Sequence, residues 1–329
     1  MTQFTAYRLH SAIQDALPQG RFETISIDDL SAGDVVIRIA YSSLNYKDAL
    51  ANAGIGKIIR SYPRIGGIDL AGYVVSSASP AFKEGDEVVV HGFSIGVDHD
   101  GGHAQYARVR SEWVMALPAG LSLLEACTLG AAGYTAGLAL HWMEQCGLSP
   151  EQGDIAVTGA TGGVASVAID ILTQRGYRVC AFSGKEGVKS YLERLGAAEV
   201  LPAPDTTTVP ALAKAQWAGA VDSVGGSTLA WLLSATKPEG ILTSFGNTGG
   251  AELPTTVFPF ILRGVKLLGI NANSPMSLRR TVWDKLSTIY RPAHLSDIAQ
   301  LIEFPDLPKA MSAMLARATH GRTVIRMHS

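Results

Sequence analysis

A glycine-rich turn between two apolar runs constrains this chain more than any other feature of its sequence. The stretch from Asp154 to Lys185 reads DIAVTGATGGVASVAIDILTQRGYRVCAFSGK. An apolar run at 155–158 precedes the turn at 159–165, a helix-like segment follows at 166–173, and a second apolar run occupies 177–182. This order predicts a strand–turn–helix–strand unit that binds a dinucleotide, because the free N–H groups and the dipole of a helix N-terminus favour an anion.

The residues of the turn are small enough for the backbone to approach a pyrophosphate closely. The G-x-G-x-x-G/A pattern falls on 160–165, with alanine at its first and last positions. Glycine also serves ordinary turns, so a purely structural βαβ turn is the alternative. The strand before the turn and the helix after it favour nucleotide binding. The predicted cofactor contacts of the turn are Ala160, Thr161, Gly162, Gly163 and Val164.

The end of the second apolar run indicates which dinucleotide binds. An NAD site usually places Asp or Glu there, on the adenosine ribose. This chain has Ser183, Gly184 and Lys185 instead, a hydroxyl and an ammonium that suit a 2′-phosphate. Glu186 follows one position too late, and we expect it to point to solvent. These residues predict NADP (NADPH) as the cofactor; the alternative for Lys185 is a solvated surface lysine.

Composition bounds the class of protein. The chain has 329 residues, of which 47% are hydrophobic, enough for a large core and about two domains. A formal net charge of −2 creates no field that favours nucleic acid or an anionic membrane. The three cysteines, Cys127, Cys146 and Cys180, show no C-x-x-C spacing and indicate a reducing compartment. The first ten residues contain no apolar segment of a signal peptide, and no apolar run reaches the length of a membrane span, so we expect a cytoplasmic protein.

The pattern of predicted secondary structure changes near Gly120. Before it, short predicted strands separated by turn signals indicate a β-rich, barrel-like domain. These strands are 35–41, 72–75, 87–90, 102–109 and 113–117. After it, Ser122 and Glu125 form a capping-box pattern that opens a long helical segment.

Strands and helices then alternate, which predicts a parallel doubly wound sheet. The apolar strands after the glycine turn include 198–201, 219–226, 240–246 and 265–270. Ligands of such sheets bind beyond the carboxyl ends of the strands, although ordinary αβ turns explain single glycines equally well. The further predicted cofactor contacts are Thr135, Ser223, Val224, Gly246, Asn247, Gly269 and Ile270.

The last residues, with helices predicted at 278–289 and 306–318 and a strand at 322–327, indicate that the chain returns to its first domain. We therefore predict an α/β protein with a β-rich catalytic domain at 1–121 and 275–329 and a Rossmann domain at 122–274. Arg322, just before the last predicted strand, is a further candidate for a cofactor contact.

Several motifs together resemble the medium-chain dehydrogenase/reductase superfamily over essentially the whole chain. They are YSSLNYKD (41–48), PRIGGIDLAG (63–72), KEGDEV (83–88), GHAQYA (102–107) and LGAAGYTA (129–136). Within it, the chain is similar to the zinc-free quinone-oxidoreductase branch and its YhdH-type acrylyl-CoA reductase group. The resemblance implies a GroES-like catalytic domain, NADPH-dependent reduction of an activated C=C bond, acrylyl-CoA as substrate, and a homodimer in which residues 265–270 pair edge to edge.

The resemblance also implies that no metal takes part. Asn45 stands where zinc alcohol dehydrogenases have a cysteine ligand, and 67–69 reads Gly-Ile-Asp where they have Gly-His-Glu. Catalytic zinc needs three protein ligands. His91, His99 and His103 flank a glycine-rich loop, but no second cluster completes a site with them.

Without a metal, hydrogen-bond donors must stabilise the negative charge that develops on the substrate carbonyl oxygen. Asn45 is the first candidate, orienting either that carbonyl or the nicotinamide ribose. Tyr41 is a candidate for the nicotinamide side, or a core aromatic residue; Tyr46 is a candidate donor. Lys47 and Asp48 are either a pair that shapes the loop or a solvated pair.

The substrate itself stays open at this point. Arg60, Arg64 and Arg263 are candidates for binding CoA phosphates, and each is alternatively a solvent-facing arginine. A quinone or enone reductase shares the cofactor and the lack of zinc. A non-catalytic NADPH-binding sensor is the alternative from another class, which the polar residues around Asn45 disfavour.

Overall fold

The structure is a computed structural model that describes residues 2–11 and 18–327. It consists of two compact units. The first unit comprises Met1–Ala131, Pro275–Arg280 and Ala299–Ser329, and the second comprises Ala132–Ser274 and Thr281–Ile298.

Strands and helices follow each other along the described chain. The strands are β1 (Gln3–His10), β2 (Gln19–Ser26), β3 (Val35–Leu44), β4 (Arg64–Ile65), β5 (Asp69–Ser77), β6 (Glu87–His91), β7 (Tyr106–Val109), β8 (Met115–Ala116), β9 (Ile155–Thr158), β10 (Val179–Phe182), β11 (Glu199–Leu201), β12 (Trp217–Asp222), β13 (Thr236–Ser244), β14 (Lys266–Gly269), β15 (Ala299–Glu303) and β16 (Arg322–Arg326). The α-helices are α1 (Tyr46–Asn52), α2 (Leu123–Gln145), α3 (Gly163–Gln174), α4 (Lys189–Arg194), α5 (Gly226–Ala235), α6 (Phe258–Arg263), α7 (Met276–Leu286), α8 (Leu295–Ile298) and α9 (Leu307–Leu315).

The first unit is built on a sheet with the strand order β15-β16-β3-β5-β6-β8, in which β7 also pairs with β3. A smaller sheet has the order β2-β1-β4. Along β3, Val35, Ile37 and Ile39 are buried while the residues between them are half-buried, the period-2 pattern of a strand with one face on a core. The predicted β-rich domain is therefore present, although the prediction missed β1, β2, β4 and β15.

The second unit contains a six-stranded sheet in which every neighbouring pair is parallel, with the order β11-β10-β9-β12-β13-β14. Strands β9, β10 and β12 are buried along their whole length, as expected when both faces of a parallel sheet are covered. The predicted parallel sheet is confirmed. Its strand order reverses at β9, the point where doubly wound sheets bind their ligands.

Helix α2 departs from one expectation of the sequence analysis. Its 23 residues are long and apolar enough to cross a membrane by length and composition, contrary to the expectation that no such run exists. However, 89% of the apolar window is buried inside the protein, and the core helix of a soluble protein passes the same test. The helix is kinked at Gly130, whose φ of 47° and ψ of −149° are not helical.

The compact units and the predicted domain limits differ in two places. Residues 122–131 belong with the first unit, because Leu123 and Cys127 pack against Ala71 and Val324. Residues 281–298 belong with the second unit, because the buried Asp170 carboxylate on α3 binds this segment. Such long-range contacts leave no local signal in a sequence.

We expect Asp170→Ala to destabilise the second unit by about 2 kcal/mol or more. The fully buried carboxylate accepts N–H groups from Ala293 (3.1 Å) and His294 (2.7 Å), which the variant leaves without an acceptor. The matched control is Asp297→Ala, which removes a half-exposed carboxylate 3.5 Å from Arg194 and is expected to cost about 0.5 kcal/mol or less. Urea unfolding measures both; equal losses contradict the assignment of Asp170 as an anchor.

Candidate active site and cofactor site

The glycine turn after β9 leads directly into helix α3, which begins at Gly163 with Gly162 as its N-cap. The N–H groups in the first turn of a helix have no intrahelical acceptor. Because no side chain caps this helix either, these N–H groups are available to an anion. Gly159 has φ +59°, and a Cβ there would lie 2.3 Å from the Ser223 Oγ. The small, uncapped turn fits a dinucleotide pyrophosphate.

A buried carboxylate that the sequence analysis did not single out joins three strand ends around this turn. Asp222, at the end of β12, accepts the Thr158 hydroxyl of β9 at 2.7 Å and the Ser244 hydroxyl of β13 at 3.4 Å. It also accepts the Gly225 N–H at 2.9 Å. Asp222 thus fixes the carboxyl ends of β9, β12 and β13 beside one another.

The predicted cofactor residues that follow β10, β12, β13 and β14 lie at this same edge of the sheet, because all six strands are parallel. Ser183 and Lys185 follow β10, where the Lys185 N–H donates to the Ser183 Oγ at 3.1 Å, and Glu186 is exposed as expected. The residues at the ends of β12, β13 and β14 are Ser223, Val224, Gly246, Asn247, Gly269 and Ile270. Thr135 is placed differently: it lies within α2 and is buried.

Asn45, in the first unit, is held by a buried ion pair. The Arg322 guanidinium lies 3.1 Å from the Asp69 carboxylate, and the two side chains are 3% and 1% exposed. The Asn45 Nδ2 donates to Asp69 at 2.8 Å, and its Oδ1 accepts from Arg322 at 2.9 Å. The amide NH2 group faces the negative carboxylate and the amide oxygen faces the positive guanidinium, so only one orientation of the side chain satisfies both. One N–H and one oxygen lone pair of this half-buried amide remain beyond these two bonds.

The guanidinium of Arg322 is fully engaged in the first unit. Besides Asp69 and Asn45, its acceptors are the Ser43 hydroxyl at 2.6 Å, the Thr128 carbonyl at 2.9 Å and the Leu44 carbonyl at 3.3 Å. These five bonds match the five N–H donors of an arginine. The cofactor contact predicted for Arg322 therefore has no guanidinium N–H left over, and the structure gives this residue a positioning role.

The kink of α2 makes room for the ion pair. At Gly130 a Cβ would lie 2.5 Å from the Asp69 Oδ2 and 3.0 Å from the Arg322 guanidinium, so no side chain fits there. The N–H of the next residue, Ala131, donates to the other Asp69 oxygen at 2.8 Å. Glycine at position 130 is thus required by the close approach of the carboxylate as well as by its backbone angles.

Asp48 holds the backbone of Asn45. Asn45 is the N-cap of α1, and its N–H donates to the Asp48 Oδ2 at 2.9 Å. The other Asp48 oxygen accepts the N–H groups of Gly67 and Ile68, each at 3.2 Å. Burial raises the pKa of Asp48 to about 7, with a further contribution from the negative charge of Asp69. Lys47 is exposed and Asp48 is buried, so the predicted Lys47–Asp48 pair is wrong: α1 turns the two side chains into different surroundings.

The two tyrosines beside Asn45 differ in surroundings. Tyr41 is half-buried in β3 and packs against the cluster of Ala71, Cys127 and Val324, which favours the alternative of a core aromatic residue. Tyr46 is 42% exposed at the start of α1, where its hydroxyl is accessible.

Two of the three arginines proposed for CoA phosphates are engaged by the protein. Arg64 donates to the Ser31 hydroxyl at 2.8 Å and lies 3.3 Å from the Asp100 carboxylate. Arg263 donates to the carbonyl oxygens of Ser234 and Thr236 at 2.8 and 2.9 Å. Arg60 is exposed.

The residues around Asn45 do not fit a zinc ion. The positive charge that Asp69 requires is already supplied by Arg322, and Asn45 is bound to both. The histidines have separate surroundings: His91 lies against Arg279 and His99 against backbone carbonyls, while burial lowers the pKa of His103 to about 4. Within residues 2–11 and 18–327, no group of three or more His, Cys, Asp or Glu residues is arranged to hold a metal ion.

A doubly wound parallel sheet with an anion-binding turn, joined to a β-rich unit with a polar asparagine site, defines a dinucleotide-dependent oxidoreductase. Two family models match the chain: the alcohol dehydrogenase GroES-like domain over residues 31–119 and the zinc-binding dehydrogenase domain over residues 163–288. The chain belongs to the medium-chain dehydrogenase/reductase family. The α/β fold class, with a GroES-like domain and a Rossmann-type domain, is confirmed.

Several proteins of known or assigned type are similar to this chain over almost its whole length. The putative quinone oxidoreductase YhfP of Bacillus subtilis is 47% identical over 93% of this chain and 94% of its own. The probable acrylyl-CoA reductase AcuI of Escherichia coli is 40% identical over 96% of this chain and 98% of its own. The YhdH oxidoreductase of Salmonella enterica, solved in complex with NADP, is 41% identical with a TM-score of 0.95, covering 98% of this chain and 100% of that one. The structure of YhfP has NAD bound, at a TM-score of 0.96 over 99% of this chain and 100% of that one.

We expect the stability of the first unit to fall between about pH 4 and pH 7 through Asp48. Its folded-state pKa of about 7 lies above the ordinary value of 3.8, so the folded protein retains a proton that the unfolded chain loses in this window. The free energy of unfolding therefore falls by up to about 1.4 kcal/mol per pH unit from this group and levels off above pH 7. Asp48→Asn removes that slope in urea unfolding measured from pH 4 to 8; an unchanged slope in the variant contradicts the raised pKa.

Proposed function

We propose that this protein reduces an activated C=C bond with NADPH and without a metal, converting acrylyl-CoA to propionyl-CoA. The observation that carries the proposal is the Asn45 amide, fixed by Asp69 and Arg322, with one N–H left to donate. The chain's 40% identity to an AcuI enzyme supports an enoyl thioester as substrate. The relatives are named as oxidoreductases, which disfavours a non-catalytic sensor.

The chemistry requires a donor at the carbonyl oxygen and a proton at the α-carbon. NADPH, when bound, supplies the hydride that adds to the β-carbon of the thioester. Negative charge then collects on the substrate carbonyl oxygen, where the remaining Asn45 N–H is proposed to donate. The neighbouring positive charge of Arg322 polarises the same amide. Tyr46, with its exposed hydroxyl one residue away, is the proposed proton donor.

A quinone or enone is the second candidate substrate, favoured by the 47% identity to YhfP. The experiment that separates the two measures NADPH oxidation with acrylyl-CoA, other enoyl-CoAs and 1,4-benzoquinone, and compares kcat/KM. A higher kcat/KM for acrylyl-CoA than for any quinone supports the reductase proposal. A reversed order assigns the protein to the quinone class.

We expect Asn45→Ala to lower kcat/KM for acrylyl-CoA at least tenfold, about 1.4 kcal/mol of transition-state stabilisation. The variant removes the donor to the carbonyl oxygen. It also frees one N–H of Arg322 and one acceptor site of Asp69, so circular dichroism must first show that it folds. A folded variant with wild-type kinetics excludes Asn45 from the reaction.

We expect Lys185→Ala to raise the KM for NADPH about tenfold while the KM for NADH changes less than twofold. The ammonium is proposed to bind the 2′-phosphate, which NADH lacks. Glu186→Ala is the matched control, since this adjacent charged residue is exposed. Wild-type turnover that is faster with NADH than with NADPH would refute the cofactor preference.

We propose that the chain forms a homodimer in the cytoplasm through the edge of its parallel sheet. Strand β14 is the last strand in the sheet order, and such an edge presents unpaired N–H and C=O groups to a second chain. Beside it in sequence, an apolar face of α6 is exposed, with Val257, Phe258, Ile261 and Leu262 each at least 45% accessible. We expect sedimentation equilibrium to give twice the chain mass of 34.7 kDa, and Ile261→Asp to reduce it towards one; a monomeric wild type contradicts the proposal.

A further inference from the structure

The loop between α1 and β4, residues 53–63, presents cations and an apolar side chain to solvent; we call it the basic loop. Lys57 and Arg60 are both exposed, and Ile55 is 51% exposed. The loop is anchored to the core of the first unit, because Ile59 is only 5% exposed in that core and Ile58 packs against it. The basic loop is therefore packed against the core through its isoleucines and exposes two positively charged side chains to solvent.

The two cations of the basic loop have no partner within the described part of the protein. Among the described residues, neither the Lys57 nor the Arg60 side chain has a hydrogen bond or ion pair. The next arginine, Arg64, is bound to Asp100 and Ser31, and Arg108 donates to the Ser31 carbonyl oxygen at 2.9 Å. Two cations thus remain available to an external anion.

The backbone of the basic loop is held in a costly conformation. Gly54, Gly56 and Lys57 all have left-handed φ angles, +68°, +78° and +49°. Glycine adopts this region readily, but a lysine there is strained. Strained backbone of this kind clusters at functional sites, and the Lys57 side chain is exposed.

The basic loop is tied to the proposed reaction site at both of its ends. It starts at the carboxyl end of α1, a helix of seven residues and so about 10 Å long, whose N-cap is Asn45. Beyond the loop, β4 leads to Gly67 and Ile68, whose N–H groups bind Asp48 in the first turn of α1. A ligand whose reactive group contacts Asn45 and whose charged end lies some distance away fits this arrangement.

We propose that the basic loop binds the phosphate groups of the coenzyme A part of the substrate, with Lys57 and Arg60 as the ligands and Ile55 as an apolar contact. This rests on the proposed function, because the thioester is taken to lie at Asn45. Coenzyme A carries its phosphates at the far end of a long, uncharged pantetheine arm. Arginine and lysine are the side chains that bind phosphates most strongly.

The first test is binding of coenzyme A itself, which needs no turnover. Isothermal titration calorimetry with the full chain is expected to show a Kd at least tenfold higher for Lys57→Ala/Arg60→Ala than for wild type. The matched control, Lys83→Ala/Arg110→Ala, removes two other exposed cations of the first unit and is expected to leave the Kd within twofold. Absence of coenzyme A binding to wild type, or equal losses in both double variants, overturns the proposal.

The second test separates the phosphates from the reacting group. The N-acetylcysteamine thioester of acrylate carries the same C=C bond without phosphates. We expect the preference for acrylyl-CoA over this thioester, as the ratio of kcat/KM values, to fall at least tenfold in Lys57→Ala/Arg60→Ala. An unchanged ratio overturns the proposal. If wild type binds coenzyme A but reduces only quinones, the proposed function fails while the binding site stands.

Lys57→Gly distinguishes a binding role from a structural one. Glycine accepts the left-handed φ of position 57, so we expect a melting temperature no lower than that of wild type. Removal of the ammonium is nevertheless expected to raise the Kd for coenzyme A at least threefold. A Kd equal to that of wild type in this folded variant excludes Lys57 as a phosphate ligand.

Discussion

The buried ion pair of Asp69 and Arg322 is the interaction on which the candidate active site depends. Burying two charges is unfavourable unless both are paired and fully hydrogen-bonded. Here the five guanidinium N–H groups and both carboxylate oxygens all have partners. These partners come from β3, β5, β16 and the start of α2, so the pair joins segments more than 250 residues apart in the chain. Asn45 has its orientation because it completes this network.

In the second unit, the candidate anion site is formed by backbone N–H groups and not by a buried cation. Parallel strands bring all their carboxyl ends to one edge, and the Asp222 carboxylate holds three of those ends together. The uncapped N-terminus of α3 opens at the same edge. The anion site therefore follows from the direction of the strands and from small side chains in one turn, while the proposed preference for NADPH rests on the side chains after β10.

Much of this was predictable from the sequence, and the failures have a common cause. The parallel sheet and its glycine turn were predicted because apolar runs and glycine spacing are local signals. The pairing of Lys47 with Asp48 was wrong, because neighbouring residues on a helix point in different directions and one of them became buried. Arg322 and Asn45 were each singled out, but the bonds of Arg322 to its five acceptors were not predicted, since those acceptors are distant from it in sequence. The sequence did not separate Arg60 from Arg64 and Arg263 as candidates for CoA phosphates, because the acceptors that engage Arg64 and Arg263 are set by tertiary contacts.

By itself, the sequence determined the class of fold and the position of the glycine turn, and its family resemblance placed Asn45 and Ile68 where zinc alcohol dehydrogenases have a cysteine and a histidine. These features depend on residue types and on short spacings along the chain, which determine local backbone geometry and local chemistry. Only the tertiary structure decided which charges are buried and paired and which remain for a ligand. Burial and pairing depend on contacts between segments far apart in the chain, and those contacts change the pKa of Asp48, fix the amide of Asn45 and leave Lys57 and Arg60 exposed.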